Sequence, residues 1–222
     1  MLIAIDGPAG AGKGTLAHYL AQIYYLDCLD TGLLYRAIAF KMKKKGKKSV
    51  DKEEAIEEAS RLQADDLRNP SLRDEEIGKL ASEVAIFPEV RALLLGFQQN
   101  FAKHPSPGMQ GVVLDGRDIG LVVLPEAPCK IYVTASPEVR AMRRLKELHQ
   151  KGINSIYEVI LEDIKVRDAR DWNRDVSPLR PAKGAFILDT SELEIDNVVE
   201  KACLFVDSIY PESRKGVSSL SE

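Results

Sequence analysis

The chain has 222 residues, 45% hydrophobic and 29% charged, which is typical of one globular α/β domain or of a core with a small added lobe. Its net charge of −3 argues against a protein that coats nucleic acid, and no apolar run approaches the roughly 20 residues of a membrane span. Three cysteines and three histidines, widely scattered, predict neither a disulfide framework nor a zinc site. The opening MLIAIDGPAG lacks a secretory pattern, so we expect a cytoplasmic protein.

Short apolar runs alternate with longer helical patterns along the chain. Near-continuous apolar runs are typical of parallel strands that are buried on both faces. The predicted strands are Leu2–Asp6, Leu26–Leu29, Val112–Asp115, Ile131–Thr134 and Phe186–Asp189. Helical spacing follows Gly12 and recurs over 137–150, 155–174 and 195–209. The alternation predicts a P-loop NTPase-type, doubly wound α/β fold with a five-stranded parallel sheet.

The interval between the second and third strands is long and helical in pattern, which indicates an inserted lobe. We therefore predict a core over 1–46 and 104–210 with a lid region near 140–175, a lobe over 47–103 and a flexible tail over 211–222. The basic run Lys41–Ser49 has two interpretations, a solvated helix end capped by Gly46 or a contact to phosphate or RNA.

A glycine-rich loop joins the first strand to the first helix and matches the phosphate-binding pattern GxxxxGK. Its glycines allow several backbone N–H groups to point at phosphate oxygens, and the helix start adds partial positive charge. The lysine would follow charge on the transferred phosphoryl group. The predicted ATP-binding residues are Gly7, Pro8, Ala9, Gly10, Ala11, Gly12, Lys13, Gly14 and Thr15.

The residue after the lysine narrows the class of enzyme. Gly14 stands where motor and switch NTPases place a hydroxyl on Mg²⁺, and GKGT resembles nucleoside monophosphate kinases. No guanine-reading NKxD motif is present, which argues against a GTPase switch. We expect no direct protein ligand to the metal, but a water-mediated Mg²⁺ near Thr15 and Asp115, which ends the strand VVLD.

Three further motifs fall at strand ends or in the last long helix, where open α/β sheets bind ligands. They are DTGLLYR over 30–36, DGRD over 115–118 and RDARDWNR over 167–174. Arg167, Asp171 and Arg174 are spaced by four and then three residues, which predicts one shared helix face. That face is either a solvated salt-bridge ladder or part of an anion site, since arginine binds phosphate bidentately.

The sequence resembles bacterial cytidylate kinases to about residue 209. GPAGAGKGT, DTGLLYRA, SEVAIFPEVR, DGRDIG and RDARDWNR occur in the order of that family. The resemblance implies transfer of the γ-phosphoryl group of ATP to CMP or dCMP. One departure is visible: many members have a small three-stranded sheet in the acceptor lobe, whereas 62–81 has no room for alternating strands. We therefore expect a compact helical lobe.

The resemblance also implies roles for individual residues. It assigns Arg36, Arg117 and Arg174 to the acceptor phosphate and Arg167 and Asp171 to the pentose. It assigns the base to Ser82, Arg91 and Asp118 with Thr31 nearby, and it adds Tyr35 and Gly116 to the acceptor site. Lys13 and the lid arginines Arg140 and Arg144 would neutralise transferred charge, although the sequence leaves open which of Arg140, Arg143 and Arg144 faces the phosphates.

Two alternatives remain at the level of sequence. For Ser82 and Arg91, the residues by themselves favour an ordinary helix surface in the lobe. For the whole chain, the alternatives are a P-loop kinase for another nucleoside monophosphate and a nucleotide-gated protein that binds RNA through its lysine run. We expect a monomer that binds ATP and CMP or dCMP, without a membrane or nucleic-acid partner.

Overall fold

The computed structural model describes residues 1–46 and 50–212. Lys47, Lys48 and Ser49 of the basic run, and residues 213–222 of the predicted tail, lie outside the described residues. The chain forms two compact units, Met1–Leu29 with Pro105–Glu222, and Asp30–His104. This division differs from the predicted boundary at residue 47.

The elements follow one another in the order that the sequence predicts. They are β1 (Leu2–Asp6), α1 (Lys13–Tyr24), β2 (Leu26–Asp30), α2 (Gly32–Lys44), α3 (Lys52–Ser60), α4 (Glu75–Val84), α5 (Pro88–Lys103), β3 (Gly111–Gly116), β4 (Cys129–Thr134), α6 (Pro137–Gln150), α7 (Tyr157–Trp172), β5 (Phe186–Asp189) and α8 (Ile195–Ile209). Two 3-10 helices cover Ala64–Arg68 and Pro70–Arg73, and a π-helical turn covers Ile119–Val123. The sequence did not predict the π-helical turn.

The strands form one five-stranded sheet in the order β2-β3-β1-β4-β5, which confirms the predicted fold class. β1 lies at the centre and pairs in parallel with β3 and β4. Its register with β3 places Ile5 opposite Asp115 and Asp6 opposite Gly116. The loops that follow β1 and β3 therefore leave the sheet side by side, at the carboxyl edge where open α/β sheets bind ligands.

The apolar side chains of β1, β3 and β4 pack against α1 and α8 to form the core of the first unit. Tyr24 at the end of α1 is fully buried, and its hydroxyl donates to Asp207 Oδ1 of α8 at 2.7 Å. Burial of such side chains contributes about 25 cal/mol per Å² of apolar surface, so this packing fixes the sheet on which the strand-end loops stand.

After Asp30, the last residue of β2, every described element of the second unit is a helix. This confirms the prediction of a lobe without a strand pair. α2 packs on α3 and α4, so it belongs to this unit and not to the core assigned from the sequence. Pro70 and Pro88 stand at helix starts, where the missing proline N–H costs no intrahelical hydrogen bond.

The described lysines of the basic run are mostly paired with acidic side chains of the same unit. Lys41 donates to Asp66 at 2.5 Å, Lys43 pairs with Glu76, and Lys45 pairs with Glu58 at 2.5 Å. Gly46 follows with a φ of +80°, as expected for the cap of α2. For Lys41, Lys43 and Lys45, this pairing favours a structural role over a contact to RNA. Within 1–46 and 50–212, no helix is long and apolar enough to cross a membrane.

Candidate active site

The loop after β1 has a backbone that only glycine can adopt at its start. Gly7 has a φ of +147°, and a Cβ there would lie 1.9 Å from the carbonyl oxygen of Val133. Gly10 and Gly12 also have positive φ values. α1 then begins at Lys13 without a side-chain cap and without an acidic residue in its first turn. The partial positive charge at the start of this helix therefore suits an anion.

Lys13 lies within the curl of this loop. Its side chain is buried, and its ammonium donates to the carbonyl oxygen of Pro8 at 2.8 Å. A cation held at this place meets the geometric requirement for a group that stabilises charge on a bound polyphosphate.

Asp115 of β3 lies against the start of α1. A Cβ on Gly14 would lie 3.8 Å from Asp115 Oδ2, so the buried carboxylate is next to the turn that carries Thr15. Oxygen donors of this kind suit Mg²⁺, which keeps most of its waters. In the described parts of the chain, no group of three His, Cys, Asp or Glu side chains could hold a metal. The carboxylate of Asp115 and the hydroxyl of Thr15 are oxygen donors of the kind that would suit a hydrated Mg²⁺.

Asp171 joins two of the arginines assigned to the acceptor. Arg117 Nε donates to Asp171 Oδ2 at 3.0 Å, and an Arg174 Nη donates to Asp171 Oδ1 at 2.8 Å. Asp171 is 6% exposed, and the side chain of Arg174 is 7% exposed. The alternative of a solvated salt-bridge ladder is therefore wrong for these residues.

The structure corrects the predicted extent of the helix that carries this motif. α7 ends at Trp172, and Arg174 lies beyond the helix cap at Asn173. Arg174 nevertheless reaches Asp171 because the chain continues past the cap close to the last turn. Burial raises the pKa of Asp171, but the guanidinium groups of Arg117, Arg174 and Arg167 outweigh burial and hold that pKa below its usual range. Asp171 thus stays ionised and holds the arginines in place.

The three lid arginines of α6 differ in their surroundings. Arg140 is 2% exposed and donates to the carbonyl oxygen of Ala9 in the phosphate-binding loop at 3.1 Å and to both oxygens of Asp168. Arg143 donates to the carbonyl oxygen of Thr190 at 2.6 Å. Arg144 pairs with Glu147 at 2.7 Å and is partly exposed. Arg140 is therefore bonded to the glycine-rich loop through Ala9.

A cleft of about 630 Å³ opens beside this loop within the first unit. It is bounded by the loop itself, by the ends of β4 and β5, by the start of α6 and by the end of α7. The lining side chains include Pro8, Tyr132, Arg140, Asp168, Trp172 and Asp189. The cleft lies where the doubly wound fold is expected to take a ligand.

The second unit places several of its assigned residues inside the helical packing. Ser82 and Arg91 are both buried, so the interpretation as helix-surface residues is wrong. The guanidinium of Arg91 lies 5.6 Å from the ring centroid of Tyr35, and one of its Nη atoms donates to the carbonyl oxygen of Ala85 at 3.2 Å. Thr31 is also buried, at the start of α2.

The guanidinium of Arg36 lies against α4 at Gly78. It donates to the carbonyl oxygens of Leu72 at 2.7 Å and of Asp74 at 3.2 Å. A Cβ on Gly78 would lie 2.7 Å from an Arg36 Nη atom, so the absence of a side chain there leaves room for the guanidinium. Sequence reasoning assigned Arg36 but missed Gly78, since nothing local marks a helix glycine as a neighbour of a distant arginine.

Sequence reasoning also missed Asp6, the last residue of β1. Its carboxylate accepts hydrogen bonds from the backbone N–H groups of Ile119 and Gly120, each at 2.7 Å. The available signal was a carboxylate that ends an otherwise apolar strand just before the phosphate-binding loop. Burial raises the pKa of Asp6 to about 6, and the charge of Asp118 adds to this, whereas the two backbone N–H groups and Lys13 oppose it.

This raised pKa predicts a pH-dependent effect of the substitution Asp6→Asn on stability. Since the native pKa lies above the unfolded value of about 3.8, the native state binds more protons between pH 4 and 6. The contribution of Asp6 to stability is therefore present below pH 4 and lost as the pH rises through 6. The free energy of unfolding of Asp6→Asn minus that of the wild type should increase by about 2 kcal/mol from pH 4 to pH 7. Urea unfolding of both proteins across this range measures it, and parallel curves would contradict it.

The comparisons with known proteins agree with this arrangement. The sequence model of the cytidylate kinase family matches residues 3–208. A cytidylate kinase from Paramagnetospirillum magneticum is 52% identical over 207 residues, which cover 93% of this chain and 98% of the relative. A cytidylate kinase from Methylocella silvestris is 47% identical over 216 residues, which cover 97% of this chain and 98% of the relative.

Solved structures add a likeness in fold. An uncharacterized protein from Eubacterium ventriosum has a TM-score of 0.54 at 15% identity, covering 94% of this chain and 99% of that chain. At this identity the likeness concerns the fold alone.

Proposed function

Because the chain belongs to the cytidylate kinase family, we infer that it transfers the γ-phosphoryl group of ATP to CMP or dCMP, giving ADP and CDP or dCDP. The observation that supports this assignment most directly is the cluster of Arg117, Asp171 and Arg174, in which the carboxylate of Asp171 joins the two arginines. Arg117 follows Gly116, which pairs with Asp6 just before the phosphate-binding loop, so two anion-binding features leave the sheet side by side.

On the donor side, the N–H groups of the loop and the ammonium of Lys13 bind the ATP phosphates. Transfer passes through a metaphosphate-like state, so positioning and charge neutralisation suffice and no covalent intermediate is needed. Arg140 and Arg144 add positive charge, and Arg140 already contacts Ala9 of the loop. Mg²⁺ held through water by Thr15 and Asp115 would supply charge neutralisation between the phosphates.

On the acceptor side, Arg36, Arg117 and Arg174 bind the phosphate of the nucleoside monophosphate through charge-assisted hydrogen bonds. The resemblance to the family also assigns Tyr35 and Gly116 to the acceptor nucleotide. Asp171 and Arg167 bind the pentose. Both oxygens of Asp171 accept from arginines, and a carboxylate has lone pairs left for a pentose hydroxyl. Asp171 therefore serves the sugar and the phosphate arginines together.

The base is read by Asp118, Arg91 and Ser82, with Thr31 nearby. Cytosine offers an N4 amino donor to the carboxylate of Asp118, and its N3 and O2 acceptors suit Arg91 and Ser82. Uracil reverses the pattern at C4 and N3 and leaves Asp118 facing an oxygen. The loss of a buried charge-assisted hydrogen bond costs about 2–4 kcal/mol, which gives the preference for cytosine.

This role predicts that Asp118→Asn reduces the preference for CMP over UMP. The amide can donate to the uracil oxygen, so the ratio of kcat/KM for the two acceptors should fall at least about tenfold. Steady-state kinetics with both nucleotides measure the ratio. An unchanged ratio with equal loss of both rates would mean that Asp118 only holds its loop.

An acceptor panel tests the function itself. The purified protein is assayed with ATP, Mg²⁺ and each of CMP, dCMP, UMP, AMP and GMP, and ADP production is followed. We expect CMP and dCMP to have the highest kcat/KM. The alternative, a kinase for another nucleoside monophosphate, predicts that another acceptor exceeds them.

A second measurement addresses the RNA alternative. The acid-paired lysines at 41, 43 and 45 argue against it, and it would require salt-dependent RNA binding without ADP production. A cytoplasmic location, a monomeric state and the absence of membrane or nucleic-acid partners stay predictions.

A further inference from the structure

Asp6 connects the two loops that leave the centre of the sheet. It is the last residue of β1 and directly precedes Gly7, the first residue of the phosphate-binding loop. Its Oδ1 accepts from the N–H of Ile119 and its Oδ2 from the N–H of Gly120, both at 2.7 Å. One buried side chain thus bonds to a segment more than a hundred residues away, and both of its oxygens are used.

The segment that Asp6 holds is the start of the π-helical turn Ile119–Val123. The N–H groups at the start of a helical turn have no partner within the turn, and here the carboxylate supplies one for each. The other end of the turn is closed by Val122 and Val123, whose N–H groups donate to the carbonyl oxygen of Asp118 at 2.8 and 3.2 Å.

This arrangement fixes Arg117 and Asp118 from both sides. Gly116 precedes them and pairs with Asp6 in the sheet, whereas Ile119 and Gly120 follow them and bond to the Asp6 carboxylate. The packing is close, since a Cβ on Gly120 would lie 3.2 Å from Ala182 Cβ and 3.3 Å from both Asp6 Oδ2 and Lys130 Cδ. A shift of the carboxylate would therefore move the intervening backbone.

A carboxylate suits this position better than its neutral isostere. Asparagine has only one acceptor oxygen, which could serve one of the two backbone N–H groups. Its NH₂ group would then face the other backbone N–H, and two donors cannot form a hydrogen bond. The raised pKa of Asp6 means that the ionised carboxylate lowers stability at neutral pH, so stability alone does not favour it.

We propose that Asp6 is a positioning residue, which holds the Arg117–Asp118 segment in register with the phosphate-binding loop and thereby sets acceptor affinity and base preference. The proposal deepens the proposed function and rests on it for the roles of Arg117 and Asp118. Asp6 itself acts through these residues and touches no substrate.

The test compares Asp6→Asn and Gly120→Ala with a control of the same chemistry. Gly120→Ala crowds the Asp6 carboxylate, together with Ala182 and Lys130, while Asp6 itself is kept, which covers the case in which Asp6→Asn folds poorly. The control is Asp27→Asn, because Asp27 also accepts a backbone hydrogen bond, from the N–H of Ser106 at 2.6 Å, at the start of β2. The readouts are the KM for CMP, the ratio of kcat/KM for CMP and UMP, and hydrogen exchange over 116–123.

We expect Asp6→Asn and Gly120→Ala to raise the KM for CMP at least about tenfold and to reduce the CMP to UMP ratio several-fold, since small misplacements of binding groups have large kinetic effects. Hydrogen exchange over 116–123 should accelerate in both. Neither the KM for CMP nor the ratio of kcat/KM for CMP and UMP depends on the fraction of enzyme that is folded. A lower free energy of unfolding would therefore leave both unchanged.

The proposal would be overturned if Asp6→Asn and Gly120→Ala had the same KM for CMP, the same CMP to UMP ratio and the same hydrogen exchange over 116–123 as Asp27→Asn. If the wild type prefers another acceptor over CMP, the proposed function fails and not the positioning role. The ratio is then measured with the preferred acceptor, and unchanged exchange over 116–123 still overturns the proposal.

Discussion

Replacement of Lys13 by alanine is expected to lower kcat at least about a hundredfold while the fold stays intact. Removal of a cation that follows charge into the transition state costs about 3–5 kcal/mol. Lys13 is buried in the glycine-rich loop, and its ammonium donates to the carbonyl oxygen of Pro8 within that loop. Steady-state kinetics at saturating CMP, together with circular dichroism, measure the effect.

Lys201→Ala is the matched control for this substitution. Lys201 is an exposed lysine of α8, so its loss should leave kcat within about twofold. A Lys13→Ala variant with the kcat of this control and an unchanged spectrum would show that Lys13 has no catalytic role.

Replacement of Arg174 by alanine is expected to weaken every acceptor alike. The lost charge-assisted hydrogen bonds correspond to about 2–3 kcal/mol, or a rise of about 30- to 150-fold in the KM for CMP and for dCMP. The ratio of kcat/KM for CMP and dCMP should stay constant, because Arg174 is proposed to bind the phosphate that both acceptors share. Asp171→Ala should instead change this ratio, since Asp171 is proposed to bind the pentose.

Thermal melts and a control separate this effect from a loss of stability. Arg174→Ala also breaks the buried pair with Asp171, so some decrease in Tm is expected. Arg68→Ala breaks an exposed pair with Asp65 and should change Tm and KM little. If Arg174→Ala lowered Tm but left both KM values unchanged, its role would be structural only.

The sequence by itself determined the fold class and the motifs that carry the chemistry. Buried parallel strands are nearly continuous apolar runs, so all five strands were found, although β3 and β4 begin earlier than predicted. The phosphate-binding loop was recognisable because its glycines, its lysine and its strand–helix context are contiguous. The helical lobe followed from the lack of alternating residues over 62–81.

The resemblance to a family added roles that the residues alone could not give. Ser82 and Arg91 lie on helices whose pattern fits a surface equally well, and the structure buries both. For Arg167, Asp171 and Arg174 the spacing was informative, but the helix ends at Trp172 because helix ends depend on capping contacts more than on propensity.

Only the tertiary structure decided which distant residues touch. The bond of Asp6 to Ile119 and Gly120, the pair of Arg117 with Asp171 and the room that Gly78 leaves for Arg36 join segments from 42 to 114 residues apart. No local pattern records such contacts, because strand register and helix packing set them after the chain has folded. The sequence therefore specified the groups that we propose bind phosphate, whereas the sheet register decided how the buried carboxylate at the end of β1 bonds to the loop after β3.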